Sequence, residues 1–177
     1  MQNGRDYVAT ILYPAGEKHR EACKNTVREL MYLFGGAVVN GFFWPAEYTA
    51  EEKLEAAKTA LLVFETVYCD GDYGKSSLYA INICLSAGNY AYRCGRPEEA
   101  IVYLKKGAEL AKRFDELPER IEQSSPLVKG LVTEKSKIPM YRENLREHTK
   151  QMIGQYTFEE EFKESKAYQE VLEILEG

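Results

Sequence analysis

The sequence predicts an all-α chain built from stacked helical hairpins. Three observations predict it. Apolar residues recur at spacings of three and four, and strict alternation never persists. Thr49 and Glu52 have the spacing of a capping box, in which each end of the first turn satisfies an orphan N–H of the other. At Gly95-Arg96-Pro97 two helical patterns meet across a tight break, with Gly placed just past one helix and Pro in the first turn of the next.

The first helix is read from about Glu17 to Phe34, with Cys23, Val27, Leu30 and Phe34 as its inward stripe. Gly35-Gly36 and Gly41 are expected to weaken it, and Phe42-Phe43-Trp44-Pro45 to end it. The second helix starts at the Thr49 cap and carries two adjacent stripes: Leu54, Ala57, Leu61, Phe64 and Tyr68, beside Ala56, Ala60, Val63 and Val67. Two stripes imply cover on two sides, as in a layered stack. Cys69 to Gly74 is a loop.

The third helix runs from about Ser77 to Cys94, with Leu78, Ile81, Leu85 and Tyr92 on one side. Ala80, Cys84, Ala87, Ala91 and Cys94 form a second, mostly small stripe that permits close helix approach. The fourth, from about Pro97 to Phe114, has Ala100, Leu104, Ala108 and Ala111 inward, with Tyr103, Leu110 and Phe114 beside them, and Pro118 closes that unit. Breaks are expected at Ser124-Ser125-Pro126 and Lys135–Pro139, around a short apolar piece, Leu127 to Val132. Tyr141, Leu145, His148 and Met152 suggest a fifth helix, and Thr157 with Glu160 is a second capping-box spacing that opens an aromatic, acidic terminal segment.

At 177 residues the chain is long enough for one domain with a substantial core or two to three stacked units. The net charge of −5 argues against the chain as a whole serving as a nucleic-acid surface, which needs clustered Lys and Arg. No apolar run approaches the roughly 20 residues of a membrane span. Met1 to Asp6 lacks the apolar core of a signal peptide, and the four cysteines form no CxxC pair. A cytoplasmic location is expected, without membrane attachment.

The hairpin from Ser77 to Phe114 resembles a tetratricopeptide repeat (TPR). Its marks are Ala87-Gly88, the aromatics Tyr90 and Tyr92, the inter-helix Gly95, and Glu98-Glu99-Ala100. It departs from the repeat at Arg96, where an acidic residue is usual, and at Gly107, where another small residue is expected. With Asp70-Gly-Asp-Tyr-Gly74 before the hairpin, and Phe114-Asp-Glu-Leu-Pro118, Ser124-Ser-Pro-Leu-Val128 and the aromatic-acidic end after it, the region from Thr49 onward resembles the C-terminal part of XRE (Cro/repressor-like) helix-turn-helix transcriptional regulators from Firmicutes. That resemblance implies a TPR-like α-solenoid fragment that senses a ligand or peptide and dimerises, carried behind an N-terminal DNA-binding domain absent from this chain. The expected organisation is one domain, 1–177: an N-terminal helix and apolar interface segment (1–46), a TPR-like core (49–118) and a C-terminal helical cap (119–177).

In such a hairpin the first helix lines the concave groove. Helical spacing from Ala87-Gly88 puts Asn82, Leu85, Ser86, Asn89, Tyr92 and Arg93 on that face, with amide and guanidinium donors for a peptide backbone or carboxylate. Gly88, Gly95 and Ala100 are expected to serve packing. The apolar, Gly-rich run from Leu33 to Trp44 is an expected interface with a second copy or a missing N-terminal region.

Other clusters have plainer readings. Asp70, Asp72 and Gly74 lack the remaining ligands of a calcium loop and are read as a turn. His19 and His148 are far apart and have no zinc-ligand spacing with Cys. Cys84 and Cys94 lie on different faces of one helix and suit packing. Arg142, Arg146 and Lys150 are interleaved with Glu143 and Glu147 as a solvated face, and Glu159 to Glu161 suit the positive end of a helix. No nucleophile–base pair or metal cluster is present, so no catalytic activity, metal or cofactor is expected. The function expected is that of a non-catalytic regulatory domain, the alternative a free-standing TPR-like adaptor for a protein partner.

Overall fold

In the computed structural model residues 8, 10–12, 14–139 and 143–177 are described. The chain is mostly helical: α1 (Glu17–Val38), α2 (Ala50–Val67), α3 (Ser77–Arg93), α4 (Pro97–Glu116), α5 (Leu145–Gly154), α6 (Glu160–Glu164) and α7 (Lys166–Glu176). Between α4 and α5 sits a small antiparallel hairpin, β1 (Arg120–Glu122) and β2 (Val132–Glu134), in which Ile121 pairs with Thr133. The pattern reading found no strand here. Its apolar piece, Leu127 to Val132, is mostly the loop of this hairpin, anchored by the buried Val128 and Leu131.

α3 is the central helix. It packs most extensively on α4, then on α2, while α4 carries α5 and α7 on its other side. The core follows from the two-stripe pattern. Leu54, Ala57, Ala60 and Phe64 of α2, Ala80, Cys84, Ala87 and Ala91 of α3, and Ala100, Leu104, Ala108 and Ala111 of α4 are all closed to solvent. The small residues let the helix axes come close.

Where two helices touch hardest, glycine is the contact. A Cβ on Gly88 would stand 2.7 Å from Leu104 Cγ and 3.1 Å from the Ala100 carbonyl oxygen. Gly95 (φ +74°) ends α3 in a Schellman arrangement: its N–H donates to Tyr92 O at 2.9 Å, and Arg96 N–H donates to Ala91 O at 3.0 Å. Pro97 then opens α4.

α1 departs from expectation. It does not weaken at Gly35-Gly36 but continues to Val38 and through a π-helical turn, Val39–Phe43. The reason is Tyr79 of α3, whose Cβ would lie 2.7 Å from a Cβ on Gly35. That contact sets the rotation of the helix. Ala22, Met31, Gly35 and Val38 face inward, and Leu30, expected inside, is 59% exposed. At the end of the π turn the Phe43 carbonyl accepts from Lys53 Nζ and Tyr90 Oη, each at 3.1 Å.

The helix ends beyond α2 are tied by side chains from elsewhere. Thr49 and Glu52 form the reciprocal cap of α2. Lys135 is buried with Nζ on the Asp115 and Leu117 carbonyls, at 3.2 and 2.8 Å, which closes the C-terminus of α4. The Asp115 carboxylate in turn accepts from the N–H groups of Leu145 and Arg146, at 2.9 and 3.0 Å, at the N-terminus of α5. Tyr141 and Arg142 lie outside the described residues. The second capping box does not form. α6 begins at Glu160, with Glu159 as its N-cap and no side-chain bond there, and Ser165 caps α7 instead by accepting from Tyr168 N–H at 3.3 Å.

Candidate functional site

The expected binding face of α3 resolves into three different environments. Leu85 is not on it: the side chain is closed to solvent and meets Gly107 of α4, where a Cβ would stand 2.8 Å from Leu85 Cδ2. Leu85 belongs to the apolar stripe with Leu78 and Ile81 and packs on α4.

Tyr92 and Ser86 are covered by the chain's own C-terminal part. The Tyr92 ring packs against Phe158 and Phe162, with centroids 4.9 and 4.6 Å away. Its hydroxyl accepts from the backbone N–H of Glu159 at 3.1 Å. Burial of the Tyr156 ring pushes its phenol well above the ordinary value, against the opposing influence of the neighbouring Ser86. The non-helical stretch Tyr156–Glu159, between α5 and α6, therefore runs against α3. Phe158, Phe162 and Tyr168 close over it as one aromatic cluster.

Asn82, Asn89 and Arg93 make up the remainder. Asn82 Oδ1 is buried without a hydrogen-bond partner, an arrangement that costs about 1–3 kcal/mol in an otherwise satisfied protein. Asn89 is half-buried and Arg93 exposed, its guanidinium 5.9 Å from the Tyr90 ring centroid. The face thus offers amide and guanidinium groups beside a segment of peptide it already holds.

The loop before α3 is a satisfied turn. Asp70 Oδ1 accepts from Asp72 N–H at 3.0 Å and Ser125 Oγ at 2.6 Å, and Oδ2 from Ser124. Burial pushes the Asp70 carboxyl up, but the Ser124, Ser125 and backbone bonds outweigh it and hold it below the ordinary aspartate value. Asp72, more deeply placed, is raised by burial against the opposing bond from Gly74 N–H. His19 Nε2 lies 3.6 Å from Cys23 Sγ, one turn along α1, a proximity the sequence reading passed over. Among the described residues no three His, Cys, Asp or Glu side chains gather around a metal-sized site. Arg146 is paired with Asp115 and Lys150 with Glu176.

A charged cleft that the sequence reading missed lies between α1 and the β-hairpin, with Arg28, Lys75, Arg120 and Lys137 on its walls. Its side chains come from four separated segments, so no local spacing could have marked it. Comparison with known proteins finds no matching family model, no matching curated protein and no matching solved structure.

Proposed function

We propose that this chain is the regulatory, TPR-like part of an XRE-type transcriptional regulator, non-catalytic, with α3 as the face that takes a peptide. The observation that carries the peptide reading is the Tyr92–Glu159 contact, in which a side chain of α3 holds the backbone of a non-helical segment. A face that binds one such segment in cis has the chemistry to bind another in trans. An incoming peptide would lie along Asn82, Asn89 and Arg93, beside or in place of Tyr156–Glu159. To act as a signal it must favour one of those two arrangements over the other.

The antiparallel hairpin of α3 and α4, with Gly88 at the contact and Gly95 at the turn, supports the TPR-like reading. A second copy is the proposed cover for the end of α1 and the turn that follows it, where Leu33 is 50%, Phe42 41% and Trp44 77% exposed. DNA would be reached only through an attached helix-turn-helix domain, and the compartment proposed is the cytoplasm.

A free-standing adaptor is the second reading, favoured by the same exposed apolar face, which could seat a different protein. Peptides selected on the full chain should lose binding in an Asn89→Ala/Arg93→Ala variant that remains folded, and retention of binding there would refute the peptide face. A natural start codon at Met1, with no helix-turn-helix in the upstream frame, would refute the covalent regulator and leave the adaptor. Light scattering that gives a monomer at all concentrations would remove the dimer.

A further inference from the structure

The cleft between α1 and the β-hairpin is separate from the α3 face, has a volume of about 410 Å³, and is built around an excess of positive charge. Two carboxylates, Glu29 and Glu134, share its walls with the four cations. Both carboxylates are already matched. Lys75 Nζ sits 2.7 and 2.6 Å from the two oxygens of Glu29, and Lys137 Nζ 2.5 Å from Glu134 Oε2.

What is left over is the excess of positive charge: Arg28 Nε lies 4.0 Å from Glu29 Oε1, so Arg28 and Lys75 share one carboxylate. Arg120 makes no hydrogen bond or ion pair among the described residues. Arg28 is held in place by Nη1 on Val132 O at 3.2 Å and Nη2 on Asn25 Oδ1 at 2.8 Å, while its Nε is buried without a hydrogen-bond partner. An anchored guanidinium and an unpaired one therefore border one cleft.

We infer that this cleft binds the phosphate of a small phosphate monoester. Guanidinium groups match phosphate oxygens in a planar, two-pronged way that lysines do not. A monoester carries about −1.5 to −2 charge near neutral pH, which balances the excess of positive charge that four cations leave over two carboxylates, whereas a single carboxylate would balance only part of it. The volume is that of a small-molecule pocket. Glu29 and Glu134 remain as acceptors for hydroxyls on the organic part. A polyphosphate chain is disfavoured by the net charge of −5 on the molecule as a whole.

The test uses the full chain at constant ionic strength, titrated by calorimetry and amide-shift mapping with inorganic phosphate, a hexose 6-phosphate and, for comparison, succinate. Saturable binding of both phosphates is expected, with shifts centred on Arg28 and Arg120. Arg120→Ala should weaken it by about tenfold or more, the loss of a charged hydrogen bond. Arg96→Ala, outside the cleft, should not. Affinity should fall from about pH 7.5 to about pH 5.5 as the dianion takes up one proton and becomes a monoanion. Absence of saturable binding by the folded chain, equal affinity for succinate, or indifference to Arg120→Ala would overturn the site. Binding of inorganic phosphate without the hexose phosphate would overturn the ester. Because the α3 face is not involved, its Asn89→Ala/Arg93→Ala variant should bind both phosphates unchanged.

Discussion

The Tyr92 hydroxyl accepts a hydrogen bond from the backbone N–H of Glu159 at 3.1 Å, joining the middle of the chain to its C-terminal helices. The ring packs against both Phe158 and Phe162, so one side chain supplies both the polar and the apolar part of the contact. Tyr92→Phe should cost about 1 kcal/mol, the lost hydrogen bond, and speed amide exchange at Glu159. Tyr92→Ala should cost roughly 2–3 kcal/mol, because the aromatic cluster loses a wall that is only half-buried. Urea unfolding of the two variants separates these losses, and equal costs would place the stabilisation in the hydroxyl alone.

Gly35 meets Tyr79 at a distance that leaves no room for a methyl group. Alanine is favoured over glycine in a helix interior by about 1 kcal/mol. A Cβ 2.7 Å from Tyr79 Cβ, an atom fixed to the backbone of α3, should reverse that gain. Gly35→Ala is expected to destabilise by roughly 1–3 kcal/mol. Combining it with Tyr79→Gly, which removes that Cβ, should cost less than the two separate losses added together, and simple additivity would show that the helices do not touch there.

Asp70 ties the loop before α3 to Ser124 and Ser125. Its folded carboxyl is held below the ordinary value of 3.8, so its contribution is present above that value and is lost as pH falls through the lower, folded one. Asp70→Asn should therefore lower the urea midpoint at neutral pH, with the gap to the parent closing below pH 3.8. A gap that stays constant into acid would contradict the assignment.

The cysteines should differ sharply in reactivity. Cys69 is exposed, while Cys84 is fully buried and burial pushes its thiol far above the ordinary value. A thiol reagent at neutral pH should modify Cys69 first and reach Cys84 only on unfolding. Labelling of Cys84 in the native protein would mean that the α3–α4 contact opens.

The α3–α4 hairpin was legible because its signals are local: Gly95 and Pro97 mark the turn, and Ala100, Leu104, Ala108 and Ala111 fall on one stripe. The face of α1 was not, because Gly35 reads as a helix breaker until Tyr79 is known to lie across from it. Strands of three residues, as in the β-hairpin, carry no usable period, and their support comes from Lys135 and Val128, which sequence spacing does not connect to them. The six residues expected on the α3 groove were placed by helical spacing alone. Spacing could not show that Leu85 turns toward α4, or that Tyr156–Phe162 folds back over Ser86 and Tyr92.

The most direct test of α3 as a peptide face is amide-shift mapping of the full chain during titration with a peptide selected on it. Shifts are expected at Asn82, Ser86, Asn89, Tyr92 and Arg93, with a changed exchange rate at Glu159 and at least about tenfold weaker binding in Asn89→Ala/Arg93→Ala. Saturable binding whose shifts fall elsewhere, with Glu159 and the double variant unaffected, would contradict it.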